Sequence, residues 1–318
     1  MKCPICQNED LDLLSDRIRS GSGKVYFCKS CDIGVLETDS ERSLGEYYSK
    51  EYWETHGPDI DKKTDFQEIF DTYVNFQHRR LELMAPYLNP TSRLLEVGCA
   101  TGHFLFNVKD KVQEAIGVDY ATDAAAFAAK VTGCKTYGHG LDKAGLEPAS
   151  FDIVCAFQTI EHTPNPSEFV TLLSRFLKPG GVLVIEAPSL YDPLLSVYAN
   201  EAYKPFFYHS EHILYFSEKS LMGIMKECGF SGAMHFVQDY NFMNHMHWLL
   251  REEPQPNGRM GLGQASLPLS NSLPKDIHDS FQAWIHQVDL SYKKLLAEHH
   301  LSENITFIGK RPITSEME

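Results

Sequence analysis

The chain alternates short apolar runs with segments whose apolar residues recur every three or four positions. The runs are Arg93–Val97, Ala115–Val118, Cys134–Tyr137, Phe151–Phe157 and Val182–Glu186, short and nearly continuous as befits strands covered on both faces. Between them, Ala121 to Val131 and Ser167 to Leu177 carry helical spacing, the second halted by Pro179-Gly180-Gly181. Such β-α alternation predicts a parallel sheet with helices on both faces, an α/β fold. Upstream, Phe66, Ile69, Phe70, Tyr73, Val74, Phe76, Leu81 and Met84 predict a leading helix that Pro90 stops. Downstream, Ser217 caps a helix running through Cys228 and ended by Gly229. His235–Asp239 and Asn304–Lys310 read as two further strands. Residues 241–303 break the rhythm with a Pro/Gly/Ser-rich loop, Pro254 to Pro274, and one helix near Ile277–His300. They are expected to form an insertion between the last two strands.

The N-terminus follows another rule. Cys3-Pro4-Ile5-Cys6 and Cys28-Lys29-Ser30-Cys31 are two C-x-x-C pairs separated by 21 residues, the spacing of a tetrahedral zinc site with Cys3, Cys6, Cys28 and Cys31 as ligands. The stretch between them offers Leu11, Leu13 and Leu14, a Gly21-Ser22-Gly23 turn and Val25-Tyr26-Phe27: a short hairpin, too small to fold on burial alone and held by structural zinc. A redox dithiol would need a βαβ setting and a single C-x-x-C. Cys99, Cys134, Cys155 and Cys228 sit in apolar surroundings as small core residues. The expected organisation is a zinc ribbon over 1–40, an aromatic segment and leading helix over 41–90, a core over 91–240 plus 304–318, and the 241–303 insertion capping an acceptor pocket.

Charge narrows the partners. The chain of 318 residues carries 43 Asp+Glu against 29 Lys+Arg, a net charge of −14, which repels phosphate backbones. The first 60 residues hold seven Lys+Arg and twelve Asp+Glu, so the ribbon is acidic and nucleic acid is not an expected partner. Apolar stretches such as Gly181 to Ile185 fall far short of the about 20 residues of a membrane helix. With no secretory signal, a cytoplasmic location is expected.

The chemistry centres on Leu94-Leu95-Glu96-Val97-Gly98-Cys99-Ala100-Thr101-Gly102. A strand ending in an acidic residue enters a turn of small residues and then a helix near His103. Small residues allow close backbone approach, and free N–H groups at a helix start favour a carboxylate or phosphate. A dinucleotide fingerprint would need glycines at 98, 100 and 103, where the chain has Ala100 and His103. The next strand ends at Gly117-Val118-Asp119-Tyr120. It places a carboxylate 23 residues after Glu96, suited to both ribose hydroxyls of an adenosine carrying something small and unphosphorylated.

Glu96-Val97-Gly98-Cys99-Ala100-Thr101-Gly102, then Gly117-Val118-Asp119, then Phe151-Asp152-Ile153-Val154 with Ile160-Glu161-His162, then Leu177 to Glu186 follow one another in order. The chain thereby resembles the class I S-adenosylmethionine (SAM)-dependent methyltransferases over residues 66–240 and 304–310. The resemblance implies a seven-stranded Rossmann-like sheet and SAM as cofactor. Glu96, Gly98, Cys99, Ala100 and Gly102 would lie along its methionine part, Asp119 and Tyr120 at the ribose, Asp142 at the adenine and Gln158 beside the sulfonium. The paired C-x-x-C motifs followed by Tyr47, Tyr48, Tyr52 and Trp53 resemble zinc-ribbon methyltransferases of saccharide and secondary-metabolite biosynthesis. Glu211-His212-Ile213-Leu214-Tyr215-Phe216-Ser217 resembles a segment of the sugar C-methyltransferases. By that likeness His212 is a candidate base assisted by Tyr208. Tyr48, Tyr52 and Trp53 are candidates for a lid over the cofactor.

SAM arrives with its methyl group activated, so the protein has mainly to align an acceptor and exclude water. A base is needed only where the acceptor must lose a proton, and histidine suits that near neutral pH. His162 and His212 are the candidates, both at the C-terminal edge of the sheet. His209, His245, His247, His299 and His300 are expected in solvent or loops. The expected function is methyl transfer to a small or carrier-linked acceptor, a saccharide or biosynthetic intermediate, on oxygen in preference to carbon. An RNA methyltransferase using the ribbon and a non-catalytic SAM-binding scaffold are the alternatives.

Overall fold

A computed structural model describes residues 1–19, 23–37 and 65–311. The expected lid residues Tyr48, Tyr52 and Trp53 lie outside them.

The ribbon begins with β1 (Asp12–Ser15), β2 (Val25–Cys28) and β3 (Ile33–Leu36), paired antiparallel in that order. The single leading helix expected over 66–88 is two, α1 (Phe66–Tyr73) and α2 (His78–Met84). A 3-10 turn at Val74–Phe76 separates them. The core then runs β4 (Arg93–Val97), α3 (His103–Val108), β5 (Glu114–Val118), α4 (Thr122–Thr132), β6 (Lys135–Tyr137), β7 (Phe151–Phe157), α5 (Pro166–Phe176) and β8 (Leu177–Pro188). Two one-turn helices follow, α6 (Pro193–Ser196) and α7 (Lys204–Phe207), then β9 (Leu214–Phe216), α8 (Glu218–Glu227) and β10 (Ser231–Val237). Ser217 caps α8 in a reciprocal capping box with Ser220. The insertion is more helical than its composition suggests: α9 (Phe242–Arg251), α10 (Gly258–Leu262) and α11 (Lys275–Glu298) precede β11 (Asn304–Lys310).

Seven strands form the main sheet in the order β10-β11-β8-β7-β4-β5-β6. Six run parallel, and β11 is antiparallel to both β8 and β10. The reversal follows from where the insertion is tied. It leaves Val237 and returns at Asn304, which face each other across the ladder, so both its ends lie on the C-terminal edge of the parallel strands and β11 must run back. The sheet is buried on both faces, with Leu95, Ile116, Val154, Ile185 and Phe307 at 0–2% exposure among the core side chains.

A second sheet of four strands joins the ribbon to the core. β9 pairs antiparallel with β3, Ile33 opposite Phe216 and Val35 opposite Leu214. The Leu36 N–H reaches the Ile213 carbonyl at 2.9 Å and the Arg19 N–H reaches that of Tyr208 at 2.7 Å. The segment resembling the sugar C-methyltransferases is thus partly a strand of the ribbon's own sheet. No helix of the described residues is long and apolar enough to cross a membrane.

Candidate functional site

β4 ends at Val97 and turns through Gly98 into α3. Gly98 has φ +81°, and a Cβ there would come within 2.3 Å of Thr159 Oγ1. Only glycine lets this turn lie against the residues leaving β7. Ala100 is also left-handed, at φ 48°, and Asp119 holds it. One carboxylate oxygen accepts the Ala100 N–H and the other the Ala121 N–H, both at 2.8 Å. The N–H groups of Gly98 and Cys99 go to the Val118 carbonyl and that of Gly102 to Cys99. These donors, expected to face a ligand, are spent on closing the turn. Room for a ligand comes from the small side chains instead.

The remaining predicted cofactor residues border the same edge. Glu96 is 2% exposed and its Oε2 has no partner among the described residues. Burial pushes its carboxyl well above the ordinary range against the pull of Arg80. Tyr120 and Asp142 meet around Gly140, where an added Cβ would lie 2.5 Å from Asp142 Oδ1 and 3.1 Å from Tyr120 Cε1. Gln158, at φ 51°, donates to Asn304 Oδ1 at 2.9 Å and Glu186 Oε1 at 3.3 Å. Glu186 also accepts from Arg80 of α2 at 3.0 Å, and Arg80 lies over the Phe157 ring at 4.4 Å. A glycine cradle, an orphaned buried carboxylate and a carboxylate at the end of β5 suit SAM.

The acceptor side is a cluster of imidazoles. Glu161 and His162 occupy the 3-10 turn after β7, and His209, Glu211 and His212 lie in the loop before β9. His162 Nδ1 donates to the Glu211 carbonyl at 2.8 Å, leaving its Nε2 lone pair 3.8 Å from Glu161 Oε1. His212 Nε2 lies 3.7 Å from the same oxygen. The Glu161 carboxylate is wholly buried, with no hydrogen-bond partner among the described residues. Burial pushes it up to about 8. Burial, then the charges His209 and His162 could carry, hold His212 well below its ordinary value. At neutral pH Glu161 and His212 therefore favour their uncharged forms.

The structure does not bring Tyr208 to this cluster. Its ring packs at 4.9 Å edge-on to Tyr215, in an apolar layer with Ile18, Val25 and Leu36. Tyr215 stands nearer, its ring 5.8 Å from His212 and its hydroxyl accepting the His209 N–H at 2.9 Å. Two histidines expected in solvent are buried: His209, bonded to Glu211 Oε2 at 2.7 Å, and His245 of α9, bonded to the Tyr292 hydroxyl at 2.6 Å. Arg80, Glu186 and Glu211 are contributors that motif reading missed. The one signal for Arg80 was a cation in an otherwise apolar-faced leading helix.

At the N-terminus, the Sγ atoms of Cys3, Cys6, Cys28 and Cys31 lie within 4.8 Å of one another. The Cys3–Cys31 and Cys6–Cys28 separations of 4.0 and 3.5 Å bracket the edge of about 3.8 Å that a tetrahedron of Zn–S bonds near 2.3 Å would have. Of the other cysteines, Cys99 and Cys155 are buried while Cys134 and Cys228 are partly exposed.

A family profile described as a methyltransferase domain matches residues 68–233, just over half of the chain. The chain belongs to the class I SAM-dependent methyltransferases. The methyltransferase is 34% identical over 97 residues to a Mycolicibacterium smegmatis protein described as a probable S-adenosylmethionine-dependent methyltransferase, spanning 30% of this chain and 38% of that one. It is 24% identical over 167 residues to a ubiquinone biosynthesis O-methyltransferase of Xanthomonas euvesicatoria, 49% of this chain and 62% of that one. It thus spans less than two thirds of each of these curated relatives. In fold it is similar to a Haemonchus contortus phosphoethanolamine N-methyltransferase solved with SAM. That match has a TM-score of 0.51 and 16% identity, and covers 93% of this chain and 71% of the other.

Proposed function

We propose that this methyltransferase moves a methyl group from SAM to a hydroxyl of a small or carrier-linked acceptor, a saccharide or biosynthetic intermediate. The observation that carries this reading is the convergence of His212 and His162 on the buried Glu161 carboxylate at 3.7 and 3.8 Å. SAM, when bound, supplies the activated methyl group. Asp119, Tyr120 and Asp142 orient its adenosine, while Glu96, Gly98, Cys99, Ala100, Gly102 and Gln158 line its methionine end. His212, neutral at working pH, takes the proton the hydroxyl loses, and the uncharged Glu161 carboxyl, 3.7 Å from its Nε2, is the polar group beside it. His162 holds the loop in register through the Glu211 carbonyl, and Tyr208 packs the same loop against the ribbon. The relatives that methylate oxygen in ubiquinone biosynthesis support acceptance on oxygen.

The ribbon of residues 1–40 carries one structural zinc on its four cysteines, fixing β3 against β9 and so the loop that bears His212. The 241–303 insertion, anchored at both ends on the C-terminal edge, caps the acceptor. Incubation with methyl-labelled SAM and an extract of the host, followed by mass identification of labelled products, tests the reading. A new methoxy group on a small or carrier-linked molecule is expected, and label in RNA alone would overturn it.

A further inference from the structure

Arg19 lies between β1 and β2 of the ribbon and belongs neither to the cysteine cluster nor to the histidine cluster. Its backbone N–H is held by the Tyr208 carbonyl and its Nε–H by the Phe206 carbonyl, both at 2.7 Å. The guanidinium carbon sits 3.8 Å over the Phe206 ring, which in turn lies 5.0 Å from the ring of Trp248 in α9. The cationic head is thereby fixed where the ribbon, the loop before β9 and the insertion meet. Its Nη1 and Nη2 make no hydrogen bond to a described residue, and no carboxylate among those residues pairs with it. Glu211, whose charge it does feel, is bonded to His209 and Ser210 instead. A chain with a net charge of −14 thus leaves the free half of a guanidinium fork, the group best matched to carboxylate and phosphate, without an acid.

Arg19 is exposed, yet the protein around it desolvates it enough to lower its guanidinium below the ordinary value. A group both open to solvent and crowded by protein lines a concavity. Two phenols face the same space. Tyr73 ends α1 with its ring 5.8 Å from that of His103, the residue that opens α3 behind the glycine turn. Tyr240 follows β10, and its N–H is held at 2.8 Å by Glu303, next to the Asn304 that Gln158 bonds. Neither hydroxyl has a hydrogen-bond partner among the described residues. Burial raises both phenols, and the charge of Arg19 opposes it. The same charge adds to the burial and the flanking imidazoles that lower His212. Arg19, Tyr73 and Tyr240 therefore bring donors without acceptors to the space that His212 also borders. We propose that this space takes an oxyanion of the acceptor itself, a phosphoryl or carboxylate group held on the Arg19 fork, while the hydroxyl to be methylated lies at His212. The inference rests on the methyl-transfer reading and gives it a substrate class, an anionic hydroxylated molecule. Nη1 and Nη2 donate to the oxyanion, and the phenols of Tyr73 and Tyr240 donate to oxygens that remain. The ribbon, which supplies Arg19, then selects the acceptor as well as bracing the loop.

The test titrates the full-length protein, saturated with S-adenosylhomocysteine, with inorganic phosphate and separately with acetate while the arginine Nε–H signals are followed by NMR. The signal that Arg19→Gln removes is expected to shift and saturate, and the ion that binds better names the group. The labelled product formed from a host extract should be retained on an anion exchanger at neutral pH, and phosphatase should release it if the group is phosphoryl. Arg19→Gln is expected to raise KM for that acceptor by about 30-fold or more, the loss of a charge-assisted fork, and by more than it lowers kcat. Arg19→Lys should recover part of this. Tyr240→Phe, which leaves the bond from Arg19 to Phe206 in place, should raise KM by a smaller factor. An Arg19 signal that neither ion moves overturns the proposal, whether or not methyl transfer is found. A labelled small product that the exchanger does not retain overturns it while the methyl-transfer reading stands. Label in RNA alone fails that reading, and the titration then decides the anion site by itself. A loss in Arg19→Gln that falls equally on SAM affinity and KM makes Arg19 a brace of the loop only and overturns the proposal too.

Discussion

Asp119 accepts the Ala100 N–H at 2.8 Å, so the carboxylate at the end of β5 also holds the turn at the end of β4 in its left-handed form. Removing it takes away both the brace of the turn and the acceptor proposed for the ribose hydroxyls. Two hydrogen bonds to a charged group are worth about 3 kcal/mol or more together. Asp119→Ala is expected to weaken SAM binding by about 100-fold in calorimetry, and Asp119→Asn by less, since the amide keeps one acceptor. Unchanged affinity would place the cofactor elsewhere.

His212 is held well below its ordinary value by burial and the flanking imidazoles. A base with a depressed pKa stays unprotonated further into acid. Transfer of label to the acceptor should therefore persist below pH 6.5, falling only as pH drops through the lowered value. His212→Ala should reduce turnover by about 10²- to 10⁴-fold, the usual contribution of a general base, with SAM affinity held within about twofold. Equal losses in turnover and SAM affinity would make His212 a structural residue.

Glu161 makes the opposite prediction for stability. Its carboxyl is raised to about 8 from a model-compound value of 4.5, so between those values the folded chain holds a proton that the unfolded chain releases. Stability from this group is complete below pH 4.5 and is lost as pH rises through 8. Asp192, raised to about 7 by burial, slopes the same way. Glu161→Gln, which cannot ionise, should flatten part of this decline. Its melting temperature is expected to exceed that of the wild type at pH 8 by several degrees, at about 2–4 °C per kcal/mol for a large domain, and to match it near pH 5. Parallel curves from pH 5 to 9 would refute the assignment.

Loss of the zinc proposed for Cys3, Cys6, Cys28 and Cys31 should reach the acceptor side. β3 pairs with β9, and the Arg19 guanidinium adds a bond from Nε to the Phe206 carbonyl at 2.7 Å. Cys28→Ser, or removal of metal by a strong chelator, is expected to lower transfer at least about tenfold while SAM affinity stays near the wild-type value. Hydrogen exchange should rise across residues 206–216 more than across 93–120. Loss of SAM binding with no change at 206–216 would contradict this coupling.

Arg93–Val97, Phe151–Phe157 and Asn304–Lys310 were readable from sequence to the residue because strands covered on both faces carry mostly apolar residues. β9 was not, since three residues leave no periodicity and its partner lies about 180 positions earlier in the chain. α9 was hidden because Asn244, His245 and His247 look polar, yet Tyr292 in α11 supplies the bond that lets His245 be buried. The cofactor edge was legible because its residues are contiguous in four short motifs. The neutral state of His212 was not, because it comes from burial and from neighbours that meet only in three dimensions.

The four-stranded small sheet bears on how the protein could be divided. A chain trimmed to begin at Phe66 would keep every motif of the methyltransferase fold, yet it would leave one side of β9 bare, with the N–H and carbonyl groups now taken by β3 open to any other strand. Leu214, Tyr215 and Phe216, each at 0% exposure in the whole protein, would lie along that edge and favour aggregation. Residues 1–37 are thus a guard for the enzyme's own sheet edge, and the smallest soluble form of this methyltransferase includes them.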